Sequence, residues 1–176
     1  MMQYGKLTFQ PIGEQLELVA EPTRNAIQSL SLTEAYVSKI DETLADTAAF
    51  CAHYDIGLDV SANCVIVEAK KADQSWYAAC IVLATDKADI NGVVRRTLDA
   101  RKVSFAPMES AISLTGMQYG GITPIGLPAE WPILIDSKVI DAKKVIVGSG
   151  IRGSKVLISS ETLASLPNAT IVSLAK

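Results

Sequence analysis

The 176-residue sequence holds one histidine, His53, and only three cysteines, Cys51, Cys64 and Cys80. That scarcity excludes a good deal. No C-x-x-C pair exists, so neither a zinc ribbon nor a dithiol redox motif is encoded. An odd number of unpaired thiols fits free cysteines in or near the core and a reducing, cytoplasmic setting. Cys51 and His53 point in different directions on a helix, so their spacing makes no Cys–His dyad. A buried or half-buried histidine at a helix end is the simpler reading of His53. The G-x-S-x-G pattern of a nucleophile elbow is missing. No apolar run reaches the ~18 residues that a membrane-spanning helix needs. The start, MMQYGKLTFQPIGEQLELVAE, lacks the basic-then-apolar order of a signal peptide. No motif demands a metal or an organic cofactor.

What is present suits one soluble domain: 49% apolar and 20% charged residues over a length that can bury a sizeable core. Charge is unevenly spread. Residues 1–86 carry net −7 and residues 87–176 net +4, against −3 for the whole. Such a chain either offers a basic face to an anion or has uneven, solvated surface charge. Arg95, Arg96, Arg101, Lys102, Lys143 and Lys144 form compact pairs. With Arg152 they would neutralise RNA phosphates if the fold gathers them on one face, while each pair alone reads as solubilising surface.

Periodicity predicts the elements. LTFQPI reads as a short strand. Residues 32–54, LTEAYVSKIDETLADTAAFCAHY, read as a helical region with a break near Ile40–Asp41. NCVIVEAK and SWYAACIVLA are nearly continuous apolar runs, which argues for central strands covered on both faces. A short helix and strand follow in DINGVVRRTLDARKVSFA, then a helix opened by Pro107. KKVIVG and KVLIS are strands joined by SGIRGS, SSETLASL is a helix with a capping signal, and ATIVSL closes the chain as a strand. The order implies one α+β domain around a mixed sheet.

Two glycine-rich stretches stand out. GSGIRGSK, residues 148–155, matches G-x-G-x-x-G at Gly148, Gly150 and Gly153. It leads into a strand rather than the helix a dinucleotide site requires, so it reads as a tight connection or a phosphate-contacting loop. TGMQYGGITPIG, residues 115–126, places Gly120 and Gly121 side by side ahead of Pro124 and Gly126. Backbone N–H groups held by such a loop can donate to a carbonyl or oxyanion, and a crowded turn beside the core is the plainer reading.

Three segments together resemble the YbaK/ProX family of aminoacyl-tRNA editing domains associated with prolyl-tRNA synthetase. They are SANCVIVEAK, FAPMESAISLTGMQYGGITPIG with WPILID after it, and VIVGSGIRGSKVLISSETL. The resemblance covers roughly residues 30–176. It implies a curved mixed sheet with packed helices over residues 31–176, with residues 1–30 as an N-terminal extension packed on that domain. It further implies hydrolysis of the ester between a wrongly attached amino acid and the 3′ adenosine of tRNA. Substrate groups, such as a ribose hydroxyl, assist some members, so no protein nucleophile is required.

Carried onto this sequence, the resemblance makes Asn63, Gly120 and Gly121 the catalytic candidates. Thr123, Ile125, Gly126, Gly148, Ser149 and Arg152 become substrate-binding candidates, and the six paired basic residues tRNA contacts. Asn63 stands where the family typically has Lys, and Lys155 where it has an acidic residue. The implied partner is an aminoacyl-tRNA. A domain that binds a tRNA end, a nucleotide or another small anion without hydrolysis is the alternative, and a purely structural interaction protein the third reading.

Overall fold

The computed structural model describes residues 1–176, and its strands fall into two five-stranded sheets. The first runs β1 (Met2–Tyr4), β2 (Leu7–Pro11), β3 (Ala35–Lys39), β9 (Ser154–Ser159), β8 (Lys144–Gly148), every pair antiparallel. The second runs β10 (Ala169–Val172), β7 (Ile133–Asp136), β5 (Gln74–Leu83), β4 (Ala62–Lys71), β6 (Lys102–Phe105). Its first three strands are parallel and the remaining pairs antiparallel, so this sheet is mixed. A parallel bridge from Ser61 to Ile146 joins the two sheets into a curved half-barrel.

The strand period of two explains the layering. Val145 and Val147 point between the sheets with Val37, Val156 and Ile158, against Ile66, Ile81 and Ile135 of the second sheet. Ile146 and Leu157, one residue out of phase, face away and pack on Phe9 and Phe50 under α2 (Thr47–Tyr54). The outer face of the second sheet carries Val67, Cys80 and Leu134, covered by Val94 and Leu98. Both long strands are thus covered on each side, as their apolar runs predict.

One expectation needs correcting. Residues 32–54 are not helical throughout: Ala35–Lys39 is strand β3, Glu42–Leu44 is a single 3-10 turn, and α-helix begins only where the Asp46 carboxylate caps the N–H of Ala49 at 3.4 Å. Ala35 and Val37 alternate inward between β2 and β9, and that long-range pairing outweighs the local helical spacing. The break is where the sequence puts it, at Asp41, whose side chain accepts from the Thr43 N–H at 2.9 Å.

Residues 1–30 supply β1, β2 and α1 (Glu21–Ser29), with Gln10 in register opposite Val37. Helix α4 (Met108–Thr115) follows Pro107, which sits at the cap position, one residue before the first helical one. After the short α5 (Ser137–Asp141), the hydroxyl of Ser159 accepts from the Thr162 N–H at 3.1 Å and starts α6 (Ser160–Ala164), the capping the sequence signals.

Asp136 ties the C-terminal segment to β7. One carboxylate oxygen of this buried residue accepts from the N–H groups of Leu174 and Ala175 at 2.9 and 3.1 Å. Asp136→Asn keeps an acceptor but removes its charge. Because charged hydrogen bonds exceed neutral ones by roughly 1 kcal/mol, chemical denaturation should show a loss of about that size. An unchanged midpoint and slope would deny the tie its energetic role.

Candidate functional site

Where the two sheets meet, a cavity of about 250 Å³ opens. Its walls come from distant parts of the chain. The N-terminus of α2 gives Asp46 and Thr47, the start of β4 gives Asn63 and Cys64, the end of β8 gives Gly148, and β9 gives Lys155. Tyr119, Gly120 and Ile122 of the glycine loop close the remaining side.

Asn63 is held by its neighbour: the Thr47 hydroxyl donates to Asn63 Oδ1 at 2.7 Å. With the oxygen engaged, the amide NH2 is left as a donor at the cavity. Lys155 enters from the opposite sheet. Only 8% exposed, it donates from Nζ to the Ala45 carbonyl at 3.1 Å and lies 5.1 Å from the centre of the Phe50 ring. It forms no ion pair. Burial holds its ammonium below the usual lysine range; the neighbouring Cys51 and Asp46 oppose that shift, and Arg152 adds to it. A buried cation without a carboxylate partner is costly, and here it borders a cavity.

The thiols are poor nucleophiles. Burial, with the nearby Cys80, pushes the Cys64 thiol far up, and burial raises Cys80 to about 12. Both are therefore neutral at physiological pH. His53 is exposed rather than buried, edge-on to the Tyr54 ring at 4.7 Å, and lines no part of the cavity.

The two glycine-rich stretches interlock. The Gly150 N–H donates to the Gly121 carbonyl at 2.6 Å, and the Gln118 N–H to the Gly150 carbonyl at 2.9 Å. Arg152 adds two bonds: its N–H donates to Gln118 Oε1 at 2.8 Å and its guanidinium to the Tyr119 carbonyl at 3.1 Å. A Cβ on Gly148 would lie 2.5 Å from the Gly121 oxygen and 2.6 Å from that of Ile122, so backbones touch there. Gly120 has φ +87°, in the region that favours glycine. The two neighbouring glycines then differ in what they can donate. The Gly121 N–H is committed to Gln118 O at 3.0 Å, whereas the Gly120 N–H has no acceptor within the protein.

The candidates therefore separate. Asn63, Gly120 and Gly148 line one cavity, and Arg152 sits on an adjoining open groove with Tyr119. Gly121 packs against Ile151, where an added Cβ would stand 2.5 Å from the Ile151 oxygen. Thr123 and Ile125, read as lining the pocket, are fully buried instead. Ile125 belongs to the central core, and Thr123 accepts the Ile125 N–H at 3.5 Å. Gly126, with φ +100°, packs on the Pro22 backbone and lines a different depression. Ser149 is buried; its hydroxyl donates to the backbone carbonyls of Ile151 and Ser154.

The paired basic residues do not surround the cavity. Lys102 lies opposite Lys70, seven positions along β4 from Asn63, with Arg101 bound to the Lys70 carbonyl through its N–H. At ~3.3 Å per residue that is roughly 23 Å away. Lys143 and Lys144 sit at the end of β8 remote from Gly148. Arg95 and Arg96 open α3 (Arg95–Thr97) beside β6, where Arg95 Nε donates to the Asn91 carbonyl. None lines the cavity: Lys102 and Lys144 start their strands at the ends remote from it, and Arg95 and Arg96 stand on a separate helix.

Sequence reasoning left Asp46, Thr47 and Lys155 out of the site. Lys155 had a signal: it is the one charge in SKVLIS, a strand otherwise apolar or small. Asp46-Thr47 is a helix-start pair, and nothing local says which cavity it will face.

Residues 41–166 match a family described as the aminoacyl-tRNA editing domain. Solved structures are similar over nearly the whole chain. A protein described as a candidate trans-editing enzyme for prolyl-tRNA synthetase aligns at TM-score 0.76 and 16% identity, over 90% of this chain and 99% of that one. A hypothetical protein aligns at TM-score 0.78 and 19% identity, over 89% of this chain and 100% of that one. A scaffold protein from a study of computationally grafted epitopes aligns at TM-score 0.77 and 15% identity, over 89% and 97%. At such identities the likeness establishes a shared fold.

Proposed function

The chain belongs to the aminoacyl-tRNA editing domain family, and from that premise we propose that it hydrolyses the ester of mischarged aminoacyl-tRNA in trans. The observation that carries this reading is that three residues able to donate line one cavity: Lys155, whose ammonium gives one N–H to Ala45 and keeps two, Asn63 with its amide NH2, and Gly120, whose N–H has no acceptor within the protein.

In the proposed reaction a water oxygen bonds to the ester carbonyl carbon and the carbonyl oxygen takes up the negative charge. The three donors meet that charge in a site partly screened from water, where oriented dipoles act most strongly. Collapse breaks the bond to the ribose oxygen, which receives the proton the water gave up. The products are the free amino acid and deacylated tRNA. The Asp46 carboxylate, at the same wall, accepts from the α-ammonium of the aminoacyl group. The chain thus has a cation at the cavity although Asn63 stands where the family's lysine is expected; the charge comes from β9 of the other sheet.

The decisive assay incubates the purified protein with a panel of aminoacyl-tRNAs and measures released amino acid. Release from at least one substrate is expected. If the protein releases none, yet binds tRNA ends or nucleotides through the loop, the binding-domain reading replaces hydrolysis. His53→Ala is a control with a clear expectation: because His53 lines no part of the cavity, rates should not change. A large fall in rate in that variant would bring His53 into the reaction.

A further inference from the structure

Beside the polar cavity lies a second chamber of about 300 Å³ with a different character. Cys64, Tyr119 and Ile122 line both. Beyond that shared wall the annex is made of Val65, Ile66, Phe105, Ala106, Met108 and Ala111, all hydrophobic. We propose that this annex receives the side chain of the aminoacyl group, and that the site therefore selects amino acids with bulky apolar side chains over alanine and serine. The assignment rests on the deacylase reading for the orientation of the substrate.

Three observations support it. The first is adjacency: Cys64, Tyr119 and Ile122 line both chambers, so an ester held in the polar cavity stands beside the annex. The second is chemistry. Apart from the Tyr119 hydroxyl and the Cys64 thiol, the annex side chains offer no hydrogen-bonding group. A terminal adenine carries several polar edge atoms, and burying them there would leave most without partners. An aliphatic or thioether side chain has none to lose. The third is size. A methyl group leaves most of such a chamber unfilled, whereas a leucyl or methionyl side chain brings apolar area to every wall. The exposed rim residues Phe105 and Met108 extend that contact at the mouth.

The magnitude follows from apolar recognition, where one methylene is worth roughly 10- to 200-fold in discrimination. The probes are 3′-deoxy-3′-aminoadenosines carrying leucyl, methionyl, alanyl or seryl groups in amide linkage, which the protein cannot hydrolyse as esters. Calorimetry on the full chain should show leucyl and methionyl compounds binding at least ~10-fold tighter than the alanyl and seryl ones. Ala106→Leu fills the annex and should erase the preference while sparing alanyl affinity. Met108→Gln, at an exposed rim position that tolerates a polar side chain, should weaken the leucyl compound selectively if Ala106→Leu does not fold.

Equal affinity for all four compounds overturns the proposal. So does a loss of affinity for adenosine itself in the filled variant, which would give the annex to the base. Parallel hydrolysis assays keep the two readings apart. Release of alanine or serine as fast as leucine preserves the deacylase and removes the side-chain assignment. No release from any ester removes the deacylase, and the binding preference then decides what the annex holds.

Discussion

Replacing Lys155 with methionine should abolish most deacylation and leave the protein at least as stable as before. Removal of one donor from an oxyanion site typically costs roughly 10²–10³ in rate. Methionine keeps an unbranched apolar stem against the Phe50 ring, so packing suffers little. It also removes a charge that is 8% exposed and has no ion-pair partner, a change that is often neutral or stabilising. Activity and stability should therefore move independently, which separates a catalytic loss from a folding defect. Parallel kinetics and thermal unfolding test this. A variant with full activity would exclude the ammonium from the reaction.

Lys155 also gives a pH signature. Burial holds its folded pKa below the ordinary 10.5, so the unfolded chain keeps this proton to higher pH than the native one. Between the lowered value and 10.5 the unfolded state binds more protons, and stability must rise with pH across that window. Lys155→Met should lose that rise. Enzymatic hydrolysis should decline in the same window as the ammonium discharges, after subtraction of the spontaneous alkaline reaction.

Gly148→Ala should damage fold and activity together. Its new methyl would lie 2.5 Å from one carbonyl oxygen and 2.6 Å from another, both backbone, so neither can rotate aside. Overpacking of this kind costs roughly 1–3 kcal/mol, and ~2–4 °C per kcal/mol implies a fall in Tm of roughly 2–12 °C. The shift would also push the two interlocked loops apart and carry the Gly120 N–H with them. Since a displacement of about 1 Å can cost 10²-fold in rate, activity should fall by more than stability alone explains. Normal kinetics in the folded variant would argue against a rigid loop pair.

The α+β class, both long central strands, the hairpin of β8 and β9, the capped α6 and the family were readable because each rests on local pattern. KVIVG and KVLIS carry their pairing in their own composition, and Ser159 caps within three residues. Residues 35–39 were misread because their partners, β2 and β9, lie far away in sequence. The site was half legible for the same reason. Glycines at 120, 121 and 148 announce unusual backbone, but only coordinates reveal that Gly121 spends its N–H on Gln118 while Gly120 does not. Thr123 and Ile125 belong to the same motif and yet turn inward. Lys155 escaped selection because a cation on a strand acquires meaning from the cavity it borders.

The position of β3 between β2 and β9 bears on biosynthesis. Strand β3 is complete by residue 39, but the neighbour that closes its second edge begins only at residue 154. The cavity likewise draws walls from residues 46, 63, 120, 148 and 155. A chain emerging from the ribosome must therefore carry three waiting strands, β1 to β3, with an open edge through most of its synthesis. Pairings of such long range are slow to form and exposed to mispairing meanwhile. No nascent fragment ending before β9 can hold the assembled site, because its ammonium has not yet been made.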